Sequence, residues 1–412
     1  MEEINKIKAF DTYEQVIDWL FVQLPNYQAQ GTAAYKPGLD NITALLEGIG
    51  NPHQKLKTIH IAGTNGKGSV AHMLSAIYLA NDYSVGTFTS PHISDFRERI
   101  KLNGEFIDAK FVMDFVNRYK ELIDEIGATF FEINTAIAFL AFAEAGVDIA
   151  VIETGLGGRL DSTNVLQPEI SIITSIGIDH AEFLGESLVE IAREKGGIIK
   201  ENVPVVIGAD QKEVIEELSL IAINKHASIH YPEREIYDLD LLGMYQQRNA
   251  EIAVCAAKTL KPKFPLDDAK IAYGLSHVVQ LTKLQGRFQL IQKEPLVILD
   301  AAHNPSGVKG LIEEVNELDY DQLHMVYGSA SDKDLKGIFE LLPKSAQYYF
   351  TEFNSKRSTK KSRYEEMGNQ FVFEFELFDQ PTKALNAALE AAKSDDLIMI
   401  FGSFYMMDEI LH

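Results

Sequence analysis

The chain has 412 residues, of which 46% are hydrophobic, so it can build two or three domains with sizeable cores, and wholesale disorder is excluded. The formal charge of −22, from 38 basic and 60 acidic residues, argues against an extended nucleic-acid-binding surface. Cys255 is the only cysteine, so no intrachain disulfide can form and a reducing compartment fits. No uncharged apolar run reaches ~18 residues, and MEEINKIKAF lacks the features of a secretory signal. We therefore expect a cytoplasmic protein that does not cross a membrane.

The first informative motif is IHIAGTNGKGSV, residues 59–70, in which a short apolar strand runs into a glycine-rich turn. The glycines would let backbone N–H groups close on a phosphate, Lys67 could reach the terminal phosphates, and Ser69 would open a helix. The spacing differs from the common G-x-x-x-x-G-K-[ST], because Ile61 occupies the position of the first glycine. The motif indicates a nucleotide site, and the alternative is a surface turn that happens to contain a lysine.

Strand-like and helix-like runs alternate over the first part of the chain. The strands are continuous apolar runs, which is typical of a parallel sheet buried on both faces, and the alternation predicts a doubly wound sheet. Such a sheet has its site at the C-terminal ends of the strands. The predicted strands are Thr58–Ala62, Val85–Thr89, Asp148–Glu153, Ile170–Ser175 and Pro204–Ile207. The predicted helices are Ala71–Ala80, Ala109–Ile126, Asn134–Ala145, Leu188–Ile199, Lys212–Asn224 and Tyr245–Leu260.

A second series predicts a smaller α/β domain with its own sheet. Its strands are Val297–Ala301, Met325–Gly328, Tyr348–Phe353 and Leu397–Phe401, and its helices are Val308–Glu317, Leu335–Leu342 and Thr382–Ala392. We place the boundary near Gln280, which gives domains of residues 1–280 and 281–412. The basic segment Asn354–Ser362 is interpreted as a solvated, mobile loop.

Polar residues follow three of the predicted strands. Ser90 could offer its hydroxyl to Mg²⁺ or to phosphate, or it could be a simple turn residue. Glu153 ends a buried strand, where a carboxylate is costly unless it meets a cation. A metal that bridges nucleotide phosphates would be its natural partner, and the alternative is a glutamate satisfied by its neighbours. His180 could be a metal ligand or an ordinary loop histidine.

Four further residues are candidates on weaker grounds. Lys195 lies near a predicted helix end and, from the residues alone, is interpreted as a surface charge. Asp300 and His303 follow a strand of the second domain, where Asp300 could accept from ribose hydroxyls or orient an imidazole. Arg287, close to the boundary, could reach a phosphate from the second domain or form an interdomain salt bridge.

The set of motifs, in this order, resembles the folylpolyglutamate synthase and dihydrofolate synthase family, within the wider Mur-type ATP-dependent ligases. The similarity runs from about Lys36 to Ser403 and includes GTNGKGS, TSPHI, ETGLGGRLDSTN, IGIDH, IAREKGGI, LQGRF and DAAHNP. It implies an N-terminal P-loop ATPase domain, a C-terminal Rossmann-like domain and a reaction in the cleft between them. With Mg²⁺, ATP would phosphorylate a carboxylate of a folate or of dihydropteroate. The amine of L-glutamate would then attack the acyl phosphate.

The resemblance also implies roles by position. The ATP-contacting residues would be Asn65, Gly66, Lys67, Gly68, Ser69, Asn249, Arg287 and Asp300. The magnesium ligands would be Ser90, Glu153 and His180, beside Lys195, which family members carry as a carbamate. The pterin-binding region would contain Thr135, Leu160, Asp161 and Ser162. His303 lies in the interdomain motif, and we take Lys67, Lys195 and His303 as the catalytic residues.

Two departures from the family pattern stand out: Tyr245 replaces a histidine that the family often has, and Gln285 replaces a proline. Two other functions stay open. A ligase acting on a UDP-muramyl peptide usually has an additional N-terminal domain, for which the 57 residues before Thr58 are short. A non-catalytic nucleotide-gated switch would need no polar motif such as DAAHNP. We expect a monomer, and the sequence leaves open which pterin is the acceptor.

Overall fold

The computed structural model describes residues 9–22 and 38–412, and these residues form two α/β units, each built on its own sheet. The predicted α/β class is therefore confirmed. Lys36 and Pro37, at the start of the family resemblance, lie outside the described residues. Within the described part, no helix has the length and apolar character needed to cross a membrane.

The first sheet has eight strands in the order β4-β3-β2-β5-β1-β6-β7-β8. They are β1 (Thr58–Ala62), β2 (Val85–Phe88), β3 (Ile100–Leu102), β4 (Glu105–Phe106), β5 (Ile149–Glu153), β6 (Ile170–Ile173), β7 (Val205–Ile207) and β8 (Ile229–His230). The helices of this unit are α1 (Tyr13–Val22), α2 (Asp40–Gly48), α3 (Lys67–Ala80), α4 (Ala109–Ile126), α5 (Phe130–Ala145), α6 (Ala181–Leu184), α7 (Leu188–Gly196), α8 (Lys212–Asn224), α9 (Met244–Leu260), α10 (Asp268–Leu275) and α11 (Val278–Thr282). All strand pairs are parallel except those of β3, which is antiparallel to both β2 and β4.

Both faces of this sheet are covered, as the continuous apolar strands predict. Val151 of β5 packs in a core with helices α3, α9 and α10, whereas the next residue, Ile152, packs in a core with α1, α2, α4 and α5. Alternate side chains of a strand point to opposite faces, so each strand needs apolar residues at every position. Strand β1 lies between β5 and β6, with Ile61 in register with Glu153. The loop after β1 and the end of β5 therefore lie side by side.

The second sheet has six strands in the order β13-β12-β11-β14-β10-β9, all parallel except β9. They are β9 (Gln289–Lys293), β10 (Leu296–Asp300), β11 (Leu323–Tyr327), β12 (Gln347–Thr351), β13 (Glu374–Phe378) and β14 (Leu397–Phe401). The helices are α12 (Pro305–Val315), α13 (Leu335–Phe339), α14 (Lys361–Phe371), α15 (Pro381–Ala391) and α16 (Phe404–Leu411). Aromatic rings stack through its core, with the rings of Phe339 and Phe350 5.2 Å apart between centroids.

The connection between the two units is anchored to the first one. Helix α11 spans the predicted boundary at Gln280, and the chain then enters the second sheet at Gln289. The buried Lys101 donates from Nζ to the carbonyl of Thr282 (2.8 Å) and to Nε2 of His72 (3.1 Å). Because an ammonium can only donate, His72 must carry its proton on Nδ1, which donates to Gly68 O at 2.8 Å. The end of α11 is thus linked to the start of α3.

Several details differ from the predictions. The helix after the glycine-rich loop begins at Lys67, two residues before Ser69. In the basic segment Asn354–Ser362, Ser358 and Thr359 are buried, so the prediction of a solvated loop is wrong there. Strands β3, β4, β8, β9 and β13 were not predicted, because they are short or carry exposed, polar positions that give no continuous apolar run.

Candidate active site

A cleft of about 400 Å³ lies between the two units, and residues of both line it. The first unit contributes the glycine-rich loop, the ends of β2 and β5, and residues of α7 and α9. The second unit contributes residues that follow β10 and the first residue of α16. The cleft is thus at the C-terminal ends of parallel strands in both sheets, where doubly wound folds bind ligands.

The glycine-rich loop forms the floor of the cleft. Gly66 has a left-handed backbone (φ 86°), and a Cβ there would lie 2.4 Å from Oδ1 of Asn249, so both the conformation and the space require glycine. Lys67 folds back over the loop, and its Nζ donates to the carbonyls of Gly63 (3.0 Å) and Thr64 (3.2 Å). Its ammonium lies at the N-terminus of α3, a combination that attracts anions.

Glu153 faces this cation from the end of β5. Its carboxylate is buried, accepts from the backbone N–H of Ser90 (3.1 Å), and lies 4.0 Å from Lys67 Nζ. Burial raises the pKa of Glu153, and the charge of Lys67 opposes that rise. A buried carboxylate with one cation at this distance is a favourable place for a further cation.

A divalent metal fits this part of the cleft only if a bound ligand supplies some of its coordination. Ser90 and Glu153 supply hard oxygen donors, and His180 also lines the cleft. Within the described ranges, however, no three His, Cys, Asp or Glu side chains are grouped closely enough to hold a metal by themselves. Magnesium commonly completes its coordination with water and nucleotide phosphates, so this donor set suits Mg²⁺ bound together with a nucleotide.

Lys195 is buried under the loop, contrary to its interpretation as a surface charge. Its Nζ donates to Gly63 O at 2.8 Å, the same carbonyl that Lys67 contacts. Burial and the charge of Lys67 lower the pKa of Lys195 to about 7. The prediction failed because the packing of α7 beneath the glycine-rich loop depends on residues far apart in the chain. A substantial fraction of this side chain is a neutral amine near pH 7.

Asp179 links the two units on the other side of the cleft. It accepts from Lys333 Nζ (3.1 Å) and from Asn304 Nδ2 (3.0 Å), both of the second unit. His180 and His303 each place Nε2 within 4 Å of its carboxylate. Burial alone would raise the pKa of Asp179, but Lys333 and the two imidazoles outweigh it and hold the pKa below its usual range. The carboxylate is therefore charged at neutral pH.

The wall from the second unit brings Arg287 and Asp300 into the cleft. The guanidinium carbon of Arg287 lies 5.2 Å from the centroid of the Phe404 ring, and a Cβ on Gly68 would lie 3.5 Å from Arg287 Nη2. The guanidinium is therefore close to the start of α3. Asp300 accepts from the backbone N–H groups of Phe288 and Ala302, each at 2.8 Å.

The residues predicted for pterin binding lie away from this cleft. Thr135 is buried in α5, and its hydroxyl donates to Phe131 O at 2.9 Å. Asp161 is buried, and its carboxylate accepts from the backbone N–H groups of Gly155 and Leu156, each at 2.8 Å. Since Gly155 and Leu156 line the cleft, Asp161 supports its wall. Leu160 and Ser162 flank Asp161 and do not line the cleft either, so the substrate role of this set stays a prediction.

The structure thus brings together most of the predicted set. The loop Asn65–Ser69, Asn249, Arg287 and Asp300 line one cleft with Ser90, Glu153, His180, Lys195 and His303. Sequence reasoning missed the roles of Asp179, Asn304 and Lys333. Lys333 follows β11 in the polar loop ASDKD, so the strand-end argument used elsewhere would have indicated it.

Comparison with known proteins agrees with this arrangement. Residues 61–257 match the Mur ligase middle domain, and residues 286–404 match the Mur ligase glutamate ligase domain. The dihydrofolate synthase/folylpolyglutamate synthase of Bacillus subtilis is 33% identical, over 97% of this chain and 99% of that protein. A probable bifunctional folylpolyglutamate synthase/dihydropteroate synthase of Haloferax volcanii is 32% identical over 96% of this chain, which spans 50% of that longer protein.

Solved structures give the same result. Escherichia coli FolC in complex with DHPP and ADP superposes with a TM-score of 0.85 at 26% identity, covering 98% of both chains. A bifunctional folylpolyglutamate synthase/dihydrofolate synthase with Mn, AMPPNP and L-glutamate bound has a TM-score of 0.84 at 26% identity, again covering 98% of both chains.

The two domain matches, the glycine-rich loop of the first unit and the cleft between the units together define the class of protein: the chain is a Mur-type ligase. Among the Mur-type ligases, the 33% identity to the Bacillus subtilis protein, over almost the whole of both chains, identifies the family. It belongs to the folylpolyglutamate synthase/dihydrofolate synthase family.

Proposed function

We propose that this chain is an ATP-dependent ligase that joins the amine of L-glutamate to a carboxylate of a folate. The observation that carries the proposal is that Lys67 of the glycine-rich loop and Arg287, Asp300 and His303 of the second unit line one cleft. The names of the relatives, and the nucleotide, DHPP and glutamate in the solved structures, support the same substrates.

The positions support specific nucleotide contacts. Asn65, Gly66, Lys67, Gly68 and Ser69 would hold the phosphates, while Asn249, Arg287 and Asp300 would contact the rest of ATP or its terminal phosphate. Ser90, Glu153 and His180 would hold divalent ions, which neutralise charge on the phosphate oxygens when bound. The buried carboxylate of Glu153, close to Lys67, is the strongest single support for that assignment.

The chemistry needs activation because a carboxylate has no good leaving group. A carboxylate oxygen of the folate attacks the γ-phosphorus of ATP, and ADP leaves. The glutamate amine then attacks the acyl carbon, the tetrahedral intermediate expels phosphate, and the amine loses a proton. Lys67 and Arg287 supply positive charge where the phosphoryl group transfers. The contacts of Asp179 with Lys333 and Asn304 hold the two units together, which helps to keep water from the acyl phosphate.

Lys195 is proposed to act as a carbamate. Its neutral amine would add to CO₂, and the product loses a proton to give an anionic oxygen donor. A pKa of about 7 supports this step, since the neutral amine is the form that reacts. The conversion would also replace a buried cation beside Lys67 with an anion.

Several further expectations stay proposals. Thr135 and residues 160–162 would bind the pterin. The domains would comprise residues 1–280 and 281–412, which agrees with the gap between the two domain matches at residues 257 and 286. The protein would act in the cytoplasm as a monomer.

A substrate panel tests the function. The purified protein is incubated with ATP, Mg²⁺ and L-glutamate, together with either dihydropteroate or tetrahydrofolate, while ADP release and product mass are measured. We expect ADP only when a pterin and glutamate are both present, and a product heavier by one glutamyl residue. Turnover on a UDP-muramyl peptide would instead favour a cell-wall ligase. Nucleotide binding without turnover on any acceptor would favour a switch.

A further inference from the structure

Tyr245 crosses from the first unit to the second. It lies in the first turn of α9, yet its ring packs against the core of the second unit. Its hydroxyl donates to Asp300 Oδ2 at 2.8 Å, and its backbone N–H donates to Glu314 Oε1 at 2.9 Å. The N-terminus of one unit's helix is therefore held by two carboxylates of the other unit.

Asp300 also contacts Phe288, the residue beside Arg287. The same Oδ2 that accepts from Tyr245 also accepts from the backbone N–H of Phe288 at 2.8 Å. Phe288 has a φ of 46°, a left-handed conformation that non-glycine residues rarely adopt. The hydrogen bond to Asp300 helps to hold that conformation, which sets the direction in which Arg287 leaves the backbone.

Tyr245 also shares a helix face with Asn249, four residues further along α9. Asn249 lies against Gly66 of the glycine-rich loop, since a Cβ on that glycine would meet its side-chain oxygen. Helix α9 therefore contacts the glycine-rich loop through Asn249 and the opposite wall of the cleft through Tyr245.

We propose that Tyr245 is a positioning residue, whose hydroxyl holds Asp300 and, through Phe288, Arg287 in register with the glycine-rich loop. This inference rests on the proposed function in that the cleft must bind a nucleotide. Burial and the nearby Asp300 carboxylate raise the pKa of Tyr245 well above its usual value, so the phenol keeps the proton that it donates. In this chain a phenol occupies the position where the family often has a histidine.

The test compares two tyrosine-to-phenylalanine substitutions. Y245F keeps the ring and removes only the hydroxyl. We expect ADP to bind at least about fivefold more weakly by calorimetry, since a hydrogen bond to a charged group is lost, while the thermal midpoint stays close to that of the parent protein. Y78F is the matched control, because Tyr78 is fully buried in α3 and its hydroxyl has no hydrogen-bond partner among the residues that the structure describes. It should leave ADP affinity unchanged.

A double-substitution cycle separates positioning from a general loss of stability. If Tyr245 acts through Asp300, then Y245F should add little to the loss caused by D300N. In ligase assays Y245F should raise the KM for ATP while changing the KM for glutamate less. Additive effects of the two substitutions, or an ADP affinity of Y245F within twofold of the parent, would overturn the proposal.

The ADP measurement needs no turnover, so it tests the role of Tyr245 even if the ligase assignment fails. A parent protein that binds ADP but turns over no pterin would contradict the proposed function and leave the inference on Tyr245 intact. A parent protein that binds no ADP would overturn both.

Discussion

Lys195 Nζ lies 2.8 Å from the carbonyl oxygen of Gly63, an acceptor that it shares with Lys67, although Lys195 and Gly63 are 132 residues apart in the chain. Two ammonium groups that share one carbonyl repel each other, and burial adds to the cost of the charge on Lys195. The site therefore favours a Lys195 that has lost its positive charge, by deprotonation or by conversion to an anion.

Replacing Lys195 tests whether that anion is needed. K195A should lower the turnover number on the order of 10²-fold, because an oxygen donor of the proposed carbamate is removed from the phosphate-transfer site. Short carboxylates such as acetate should partly restore turnover by occupying the vacated space. K200A, which removes a half-buried lysine that donates to Asn164 O outside the cleft, should show no stimulation by acetate. Near-parental activity of K195A would remove Lys195 from the mechanism.

Replacing Lys67 tests the glycine-rich loop. K67A should abolish measurable turnover, since the terminal phosphates would lose the cation of the glycine-rich loop. The fold should survive, because the Lys67 side chain is partly exposed and, within the described part of the chain, its hydrogen bonds go only to loop carbonyls. Turnover and the thermal midpoint are measured together, with the exposed K212A as a control that should match the parent in both. Unchanged turnover of K67A would contradict the phosphate assignment.

The contact between Lys333 and Asp179 should matter for activity. Both side chains are largely buried, so K333M leaves the Asp179 carboxylate without its closest cation across the cleft. We expect kcat/KM to fall at least about tenfold, because truncating one partner of a buried charge pair costs far more than removing a surface pair. The control is K336M, which breaks an exposed pair with Glu340 on the same unit and should change kcat/KM little. Equal effects of the two substitutions would show that the Asp179 contact does not couple the units.

His60 should make the fold sensitive to acid. It is fully buried in β1, and its Nε2 lies 2.8 Å from the hydroxyl of Thr163. Burial, together with the charge of Lys200, lowers the pKa of His60 to about 3. Below its ordinary pKa near 6.5 the unfolded chain binds a proton that the folded chain does not, so the free energy of unfolding falls as the pH falls from about 6.5 towards 3.

The prediction for His60 is a change in this pH dependence. Between pH 7 and pH 5 the residue should account for a loss of about 2 kcal/mol, which H60Q should remove while keeping an N–H donor for Thr163. Urea unfolding at the two pH values measures the difference. The exposed H226Q is the control and should keep the parental pH dependence. An H60Q protein that loses as much stability on acidification as the parent would contradict the burial argument.

Much of the fold follows from local patterns. The bounds of α4 and α8 agree with the predicted helices, because their apolar positions repeat at the helical period and their ends have clear signals: Asp108 caps α4, and Gly127 ends it. The short strands β3 and β4 were missed, because a hairpin at a sheet edge needs no continuous apolar run.

Part of the candidate site also follows from local patterns. Ser90, Glu153 and Asp300 were indicated because polar residues at the ends of apolar strands gather at one edge of a parallel sheet. The glycine-rich loop was indicated by its own motif, a short apolar strand that runs into a turn with closely spaced glycines, a lysine and a serine.

The amino-acid sequence by itself determined the alternation of the main strands and helices, the glycine-rich loop and the family, because each depends on residues close together in the chain or on motifs in a fixed order. Only the tertiary structure decided that Lys195 is buried beneath Gly63, that Lys333 pairs with Asp179, and that Tyr245 reaches Asp300. The physical reason is that burial and the distance between charges are set by how remote segments pack, and these quantities fix the pKa, the hydrogen-bond partner and so the chemistry of each side chain.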